Sequence, residues 1–218
     1  GSLAVALFAA SKGVRGLIIA LNLVYGEEER RGPLGRQLVV AALTLGLIAL
    51  TLVSLVVVAL FPLASGQLGL TGAPALLAGL ARWSVLLLVM MAVIAVLYRF
   101  APYRRSPRWQ WVSVGSVTAT LLWILGSAGL SLYVGRMATL SQLYGSLGAV
   151  VVLMLWFWLS AFVVLLGAEI NGEMERQTRR DTTVGEPRPL GERGAFVADT
   201  LGPRRPWRRD GKGDDSPD

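Results

Sequence analysis

Hydrophobic positions dominate this chain in long uninterrupted runs. From Leu147 to Ala168 there are 22 residues and no charge. At about 1.5 Å per residue such a run makes a helix of roughly 33 Å, enough to cross a hydrocarbon layer of about 30 Å. A core helix of a water-soluble protein carries a polar face at a 3.6-residue period, and this stretch has none. Trp156, Phe157 and Trp158 fall at mid-span, where they are packing surface and not an interfacial belt. The run ends in Glu169, Asn171, Glu173, Glu175 and Arg176, where the chain re-enters water.

The pattern recurs upstream. Residues 37–63 are uncharged and rich in Leu and Val, and they predict a complete transmembrane helix. Further spans are predicted at 79–98, 112–134 and 144–170, separated by stretches with turn residues or charge. Residues 1–10 are apolar but too short to cross, and they read as the end of a truncated transmembrane helix. From Ser11, the positions Val14, Leu17, Ile18, Leu21 and Tyr25 follow a helical repeat, with Ser11, Arg15 and Asn22 on another face. This predicts an interfacial amphipathic helix within a cytoplasmic segment 11–36, or else a helix packed on the bundle. Residues 171–218 are polar, with scattered prolines and glycines, and predict a cytoplasmic tail, mostly disordered. The fold class expected is all-α: a polytopic transmembrane helical bundle with an interfacial helix and a disordered C-terminal tail.

Charge sets the orientation. Lys12–Arg36 carries five basic residues and Arg99–Arg108 four, whereas 64–81 carries none and 135–143 one. The positive-inside rule puts the basic loops, including the loop 99–111, and the C-terminus in the cytoplasm, with Gly69 and Arg136 on the other side.

Composition narrows the chemistry. The chain is 54% hydrophobic with mean hydropathy +0.57, and it has no cysteine and no histidine. Disulfides, thiolate nucleophiles, imidazole-dependent triads and the usual zinc or haem ligands are excluded. No Asp or Glu lies between Arg30 and Ala168, while Arg82, Arg99, Arg104, Arg105, Arg108 and Arg136 do. That balance argues against acid–base or metal chemistry at depth and favours contact with anionic headgroups. No cofactor is expected.

Three sets of residues stand out. Glu169, at the rim of the last span, is expected to pair with Arg15 or Arg99, or to be solvated there, with proton coupling as the alternative. Ser113, Ser116, Thr120, Ser127 and Ser131 share one helical azimuth within about 60°. They predict either a helix–helix seam or the lining of a polar path, meeting the last span near Gly145, Gly148 and Ala149. Arg99, Arg104, Arg105 and Arg108, interleaved with Tyr103, Trp109 and Trp111, are candidate lipid-headgroup contacts. In the tail, Arg204, Arg205, Arg208 and Arg209 surround Trp207, a pattern usual for a solvated run.

With these segments placed, the sequence resembles the YihY/BrkB family of bacterial inner-membrane proteins. The resemblance rests on SKGVRGLIIALNLVYGEEE, LYRFAPYRRSPRWQWVSVGS, TATLLWILGSAGLSLYV and YGSLGAVVVLMLWFWLSAFVVLLGAEINGEMER. It implies a six-span protein whose first span and most of the second lie outside this chain, with links to virulence and envelope integrity. It also carries a former label of transfer-RNA-processing ribonuclease, regarded as mistaken, and it supplies no catalytic residues.

The function expected is transport or flipping of an envelope lipid or other amphiphile. A non-catalytic scaffold or envelope-assembly factor is the alternative. A nuclease would need clustered carboxylates or an acid–base pair, and the chain offers only Glu27–Glu29, Glu169, Glu173, Glu175 and the acids of its tail. An enzyme is therefore not expected. The expected partners are membrane lipids, through anionic headgroups on the cytoplasmic leaflet, and a further copy of the chain in a homo-oligomer; nucleic acid is not among them.

Overall fold

A computed structural model describes residues 1–67, 72–136 and 138–202, without the side chains of 62–67 and 138–146. Five long helices follow one another: α1 (Ser2–Val24), α2 (Pro33–Gln67), α3 (Ala73–Phe100), α4 (Trp109–Arg136) and α5 (Ala138–Arg176). A short α6 (Phe196–Asp199) lies near the end. Among the described residues the only β pairing is a single bridge between Pro107 and Thr183.

All five long helices are long and apolar enough to cross a membrane. Their surfaces agree with that solvent. In α2, Leu52, Val53, Leu55 and Val56 are all more than half exposed although they point in different directions around the axis. Such a helix has no side suited to water, and its backbone polar groups are satisfied internally, as lipid requires. The chain is an integral, multi-pass membrane protein.

The helices extend beyond their apolar runs. The second complete span was expected from residue 79, yet α3 begins at Ala73 with a proline in its first positions. Pro74 is a helix starter, since its fixed φ suits the first turn and its missing N–H would be unpaired there.

The N-terminal expectation needs correction. The apolar stub at 1–10 and the separate amphipathic helix from Ser11 are one continuous helix. No proline interrupts residues 1–24, and the Ser11 hydroxyl donates to the Leu7 carbonyl across the expected boundary at 2.8 Å. The amphipathic face is real, however. Val14, Ile18 and Leu21 are buried in the core with Tyr25, so this face packs on the bundle.

The ends of α1, α3 and α5 and the starts of α2 and α4 meet at one pole, which is polar. Tyr103 N–H donates to Asn22 Oδ1 at 2.7 Å. Arg31 donates to the carbonyls of Ala101 and Pro102 at 3.0 and 2.8 Å. That placement caps the C-terminus of α3, where the helix leaves its last carbonyls unpaired and carries partial negative charge.

The tail also departs from expectation in part. Residues 177–202 fold back over the loop 101–108. Arg108 N–H donates to the Thr182 carbonyl, Val184 N–H to Ser106, and Arg105 N–H to Gly194, at 2.8, 3.0 and 3.0 Å. This cap is organised by polar side chains. Asp199 accepts from the N–H groups of Gly191, Arg193 and Gly194. The buried Arg193 donates to the carbonyls of Ala198 and Arg180 at 2.7 and 3.2 Å. The expected disorder therefore does not extend to residues 177–202. Residues 203–218, with Arg204, Arg205, Trp207, Arg208 and Arg209, lie outside the described residues.

Candidate functional site

At the polar pole, α5 contributes Asn171 and Glu175, one turn apart and both fully buried. Glu175 receives Arg104 through two nitrogens, at 2.9 and 3.1 Å, and neither side chain is exposed. Thr182 Oγ1, from the cap, donates to Glu175 at 2.9 Å. The Arg104 guanidinium also lies over the Tyr25 ring, 4.1 Å from its centroid. Charge-assisted bidentate bonds of this kind are the strong ones, and a cation over an aromatic face adds to them. Burial pushes the Tyr25 phenol up to about 12, with the Arg104 cation pulling the other way. One cluster thus joins the end of α1, the 101–108 loop, α5 and the cap.

Beside it a cleft of about 750 Å³ opens, lined by Glu27, Arg30, Tyr103, Arg104, Arg105 and Phe196 among others. Glu27 accepts the Phe196 N–H at 2.7 Å. Burial raises the Glu27 carboxyl above the usual range, opposed by that N–H and by Arg104. Gly26 makes the turn here at φ +68°, and a Cβ would stand 2.5 Å from the Phe196 ring. Both the left-handed backbone and the close approach call for glycine. Arg105 Nη1 is buried and has no hydrogen-bond partner among the described residues.

The expected Glu169 pair is not formed. Glu169 is exposed, Arg15 donates to Gln37, and Arg99 donates to the Pro107 carbonyl and stacks over Trp109. Six residues on a helix turn through about 600°, which puts Glu169 and Glu175 on different faces. The inward face is the one holding Ala168, Asn171 and Glu175. Carboxylate–arginine pairing between elements does occur at this rim, with Glu175 and Arg104 as the partners. The Arg104–Glu175 spacing left no local signal, because the two residues are 71 apart.

The hydroxyl stripe is divided. Ser116 and Thr120 are buried, and each bonds a carbonyl of its own helix, Ser113 and Ser116 respectively. Ser127 accepts from Trp156 Nε1 at 3.2 Å, while Ser113 and Ser131 are exposed. A Cβ on Gly115 would run into the Gly167 carbonyl oxygen, so α4 and α5 touch backbone to backbone. Asn171 Oδ1 accepts the Gly115 N–H at 2.7 Å. Trp123 Nε1 donates to Ser160 at 2.9 Å. This register places the stripe against Trp156, Ser160, Gly167 and Asn171. Continued along the helices, that register sets Gly148 and Ala149 opposite the far end of α4, beyond Ser127; Gly145 lies among the side chains not described.

Of the candidate headgroup arginines, Arg104 is spent on Glu175 and shut away. Arg108 Nε donates to the Thr183 carbonyl, and Arg99 is held as above. Arg105 has no side-chain hydrogen bond among the described residues and lines the cleft. Nothing local in the sequence marks Arg31, Asn171 and Arg193 as anchors: their partners are mostly backbone groups, remote in sequence for Arg31 and Asn171 and nearby, within the cap, for Arg193.

The profile of the family described as Virulence factor BrkB matches residues 1–190. The chain is 34% identical to the putative ribonuclease-like protein YfkH of Bacillus subtilis (strain 168) over 182 residues, 80% of this chain and 64% of that protein. It is 33% identical to a UPF0761 membrane protein of Tolumonas auensis over 102 residues, 46% of this chain and 33% of that one. A second UPF0761 membrane protein, IL2447 of Idiomarina loihiensis, is 29% identical over 93 residues, 43% and 32% of the two chains. The chain spans less than two thirds of the length of each of these relatives. No solved structure matches it. A profile match over most of the chain, in a protein that is a bundle of apolar helices, identifies it as a member of the BrkB virulence-factor family of membrane proteins.

Proposed function

We propose that the chain serves transport or flipping of an anionic envelope lipid or similar amphiphile in the bacterial inner membrane, with its polar pole in the cytoplasm. The observation that carries this reading is Arg105, whose Nη1 has no hydrogen-bond partner among the described residues, in a cleft at the pole where the helices leave the apolar layer; Arg30 in the same cleft is paired with Glu28 at 3.0 Å. Cations at that level attract acidic headgroups at about 1 kcal/mol each. The α4–α5 seam is closed where Gly115 meets Gly167, so a headgroup route would not pass between these two helices there.

A scaffold or assembly factor is the second reading, and the closed seam with its docked cap favours it. The ribonuclease-like wording belongs to the Bacillus relative. Here Glu175 is committed to Arg104, Glu29 to Arg31 and Glu27 to a backbone N–H, which supports a non-catalytic role. The test is lipid scrambling by the full-length protein in liposomes containing phosphatidylglycerol. Transport predicts accelerated scrambling that falls several-fold in Arg105→Gln. A folded protein that leaves scrambling at the empty-liposome rate rejects transport in favour of the scaffold.

A further inference from the structure

A second feature lies below the pole, between α2 and α3. An apolar groove of about 320 Å³ is lined by Leu43, Gly46, Leu47, Ala92, Val93 and Val96 among others. Small residues open it: a Cβ added at Gly46 would meet nothing within 4 Å. At about 30 Å³ for a water-sized group, the groove has room for an alkyl chain of roughly ten carbons.

Arg36 lies toward the polar pole on the same face of α2, a cation with no side-chain partner among the described residues. Arg36 precedes Leu43 by seven residues, hence about 20° in azimuth and roughly 10 Å along the axis, toward the polar pole. Arg36 is half-buried. Its Nε is buried without a hydrogen-bond partner among the described residues, and no ion pair there includes it. Neighbouring Arg31 is engaged with Glu29 and three carbonyls. A cation one turn or two above a dry, lipid-facing slot is the complement of an anionic lipid: phosphate on the guanidinium, tail in the slot.

We infer that the α2–α3 groove holds one acyl chain of an anionic phospholipid from the leaflet at the polar pole, with its phosphate on Arg36. This rests on the membrane-lipid reading above but does not need transport. Full-length protein, delipidated in detergent and titrated with phosphatidylglycerol or phosphatidylcholine, tests it by native mass spectrometry. The expected result is one phosphatidylglycerol retained per chain in preference to phosphatidylcholine. Arg36→Gln should lower that preference about fivefold, and Gly46→Val should remove both lipids; Ala92→Val repeats the test should Gly46→Val fail to fold. Equal retention of the two lipids, or unchanged retention in a folded groove-filling variant, overturns the site. So does disulfide capture of Gly46→Cys by a cysteine on another protein segment, which would give the groove to a helix. Lipid retained by a protein that does not scramble leaves the site standing and sinks only the transport reading.

Discussion

The Glu175 carboxylate and the Arg104 guanidinium meet at 2.9 and 3.1 Å with no exposed surface on either side chain. Both sit at the junction of α1, α5, the 101–108 loop and the cap, so their pairing reports on all four. Glu175→Ala leaves a buried cation without its partner, and the expected cost is about 3–5 kcal/mol. Arg104→Met combined with Glu175→Leu should recover most of it, since a well-packed apolar pair removes both desolvation costs. Thermal unfolding in detergent, with protease cleavage within residues 177–202 as the local readout, checks both variants. Equal stability of Glu175→Ala and the unaltered protein would sink the account.

The α4–α5 contact gives a sharper local test. Gly115→Ala drives a methyl group against the Gly167 carbonyl, whereas Gly129→Ala meets nothing within 4 Å. The first should destabilise by about 1–3 kcal/mol, the second hardly at all. Thr120→Leu with Ser127→Leu should behave like the first, because Thr120 is buried and Ser127 takes the Trp156 N–H. A pair of glycine variants that unfold at the same temperature would contradict the close approach.

The cap should respond to acid through Asp181. Burial works to raise its carboxyl, but N–H donation from Thr183 and Arg188 outweighs that and holds it below the ordinary value. A depressed carboxylate lends stability above its unfolded value of about 3.9 and loses it as the pH falls through the folded value. The protection factors of the Thr183 and Arg188 amides, taken against intrinsic exchange at each pH, should therefore be high at neutral pH and fall below about pH 4. Asp181→Asn should flatten that dependence.

Glu27 carries the opposite sign. Burial raises its carboxyl, so its favourable contribution is complete below the unfolded value and is lost as the pH rises through the folded one. Glu27→Gln is expected to protect the Phe196 amide at least as well at neutral pH, with the advantage gone in acid. A variant in which the amide exchanges faster at neutral pH would show that the charge itself holds α6.

Orientation can be read by labelling, because the native chain has no cysteine. Glu186→Cys, on the exposed surface of the cap, should react only after the cytoplasmic side is opened, and Gly135→Cys, exposed at the end of α4, from the other side. The reverse pattern would invert the arrangement.

The apolar runs made the bundle legible: α2, α4 and α5 fall where uncharged stretches of more than 20 residues must, and α3 on a run interrupted only by Arg82. Length and hydropathy are local quantities. What was hidden depends on partners remote in sequence. Glu175 finds Arg104, and Asn171 finds Gly115, through an antiparallel register that spacing does not encode. The cap was hidden for a different reason. Its stability comes from Asp181, Arg193 and Asp199 bonding backbone groups, which leaves no apolar period to read. Glu169 drew attention because it ends the apolar run, yet it is the helix face, set by Ala168 and Asn171, that decides which carboxylate is buried.

The contact of Gly115 with Gly167 also governs how this protein can move. Two helices that touch along their backbones cannot slide: a one-turn shift of α4 would set Ala119 or the following larger side chains where only a hydrogen atom fits. α4 and α5 must then travel as a single rod. α2, by contrast, buries Val40 and Thr44 near the polar end and exposes Leu52, Val53 and Leu55 farther along, so packing fixes it at one end only and leaves the rest of its surface to lipid or to further protein.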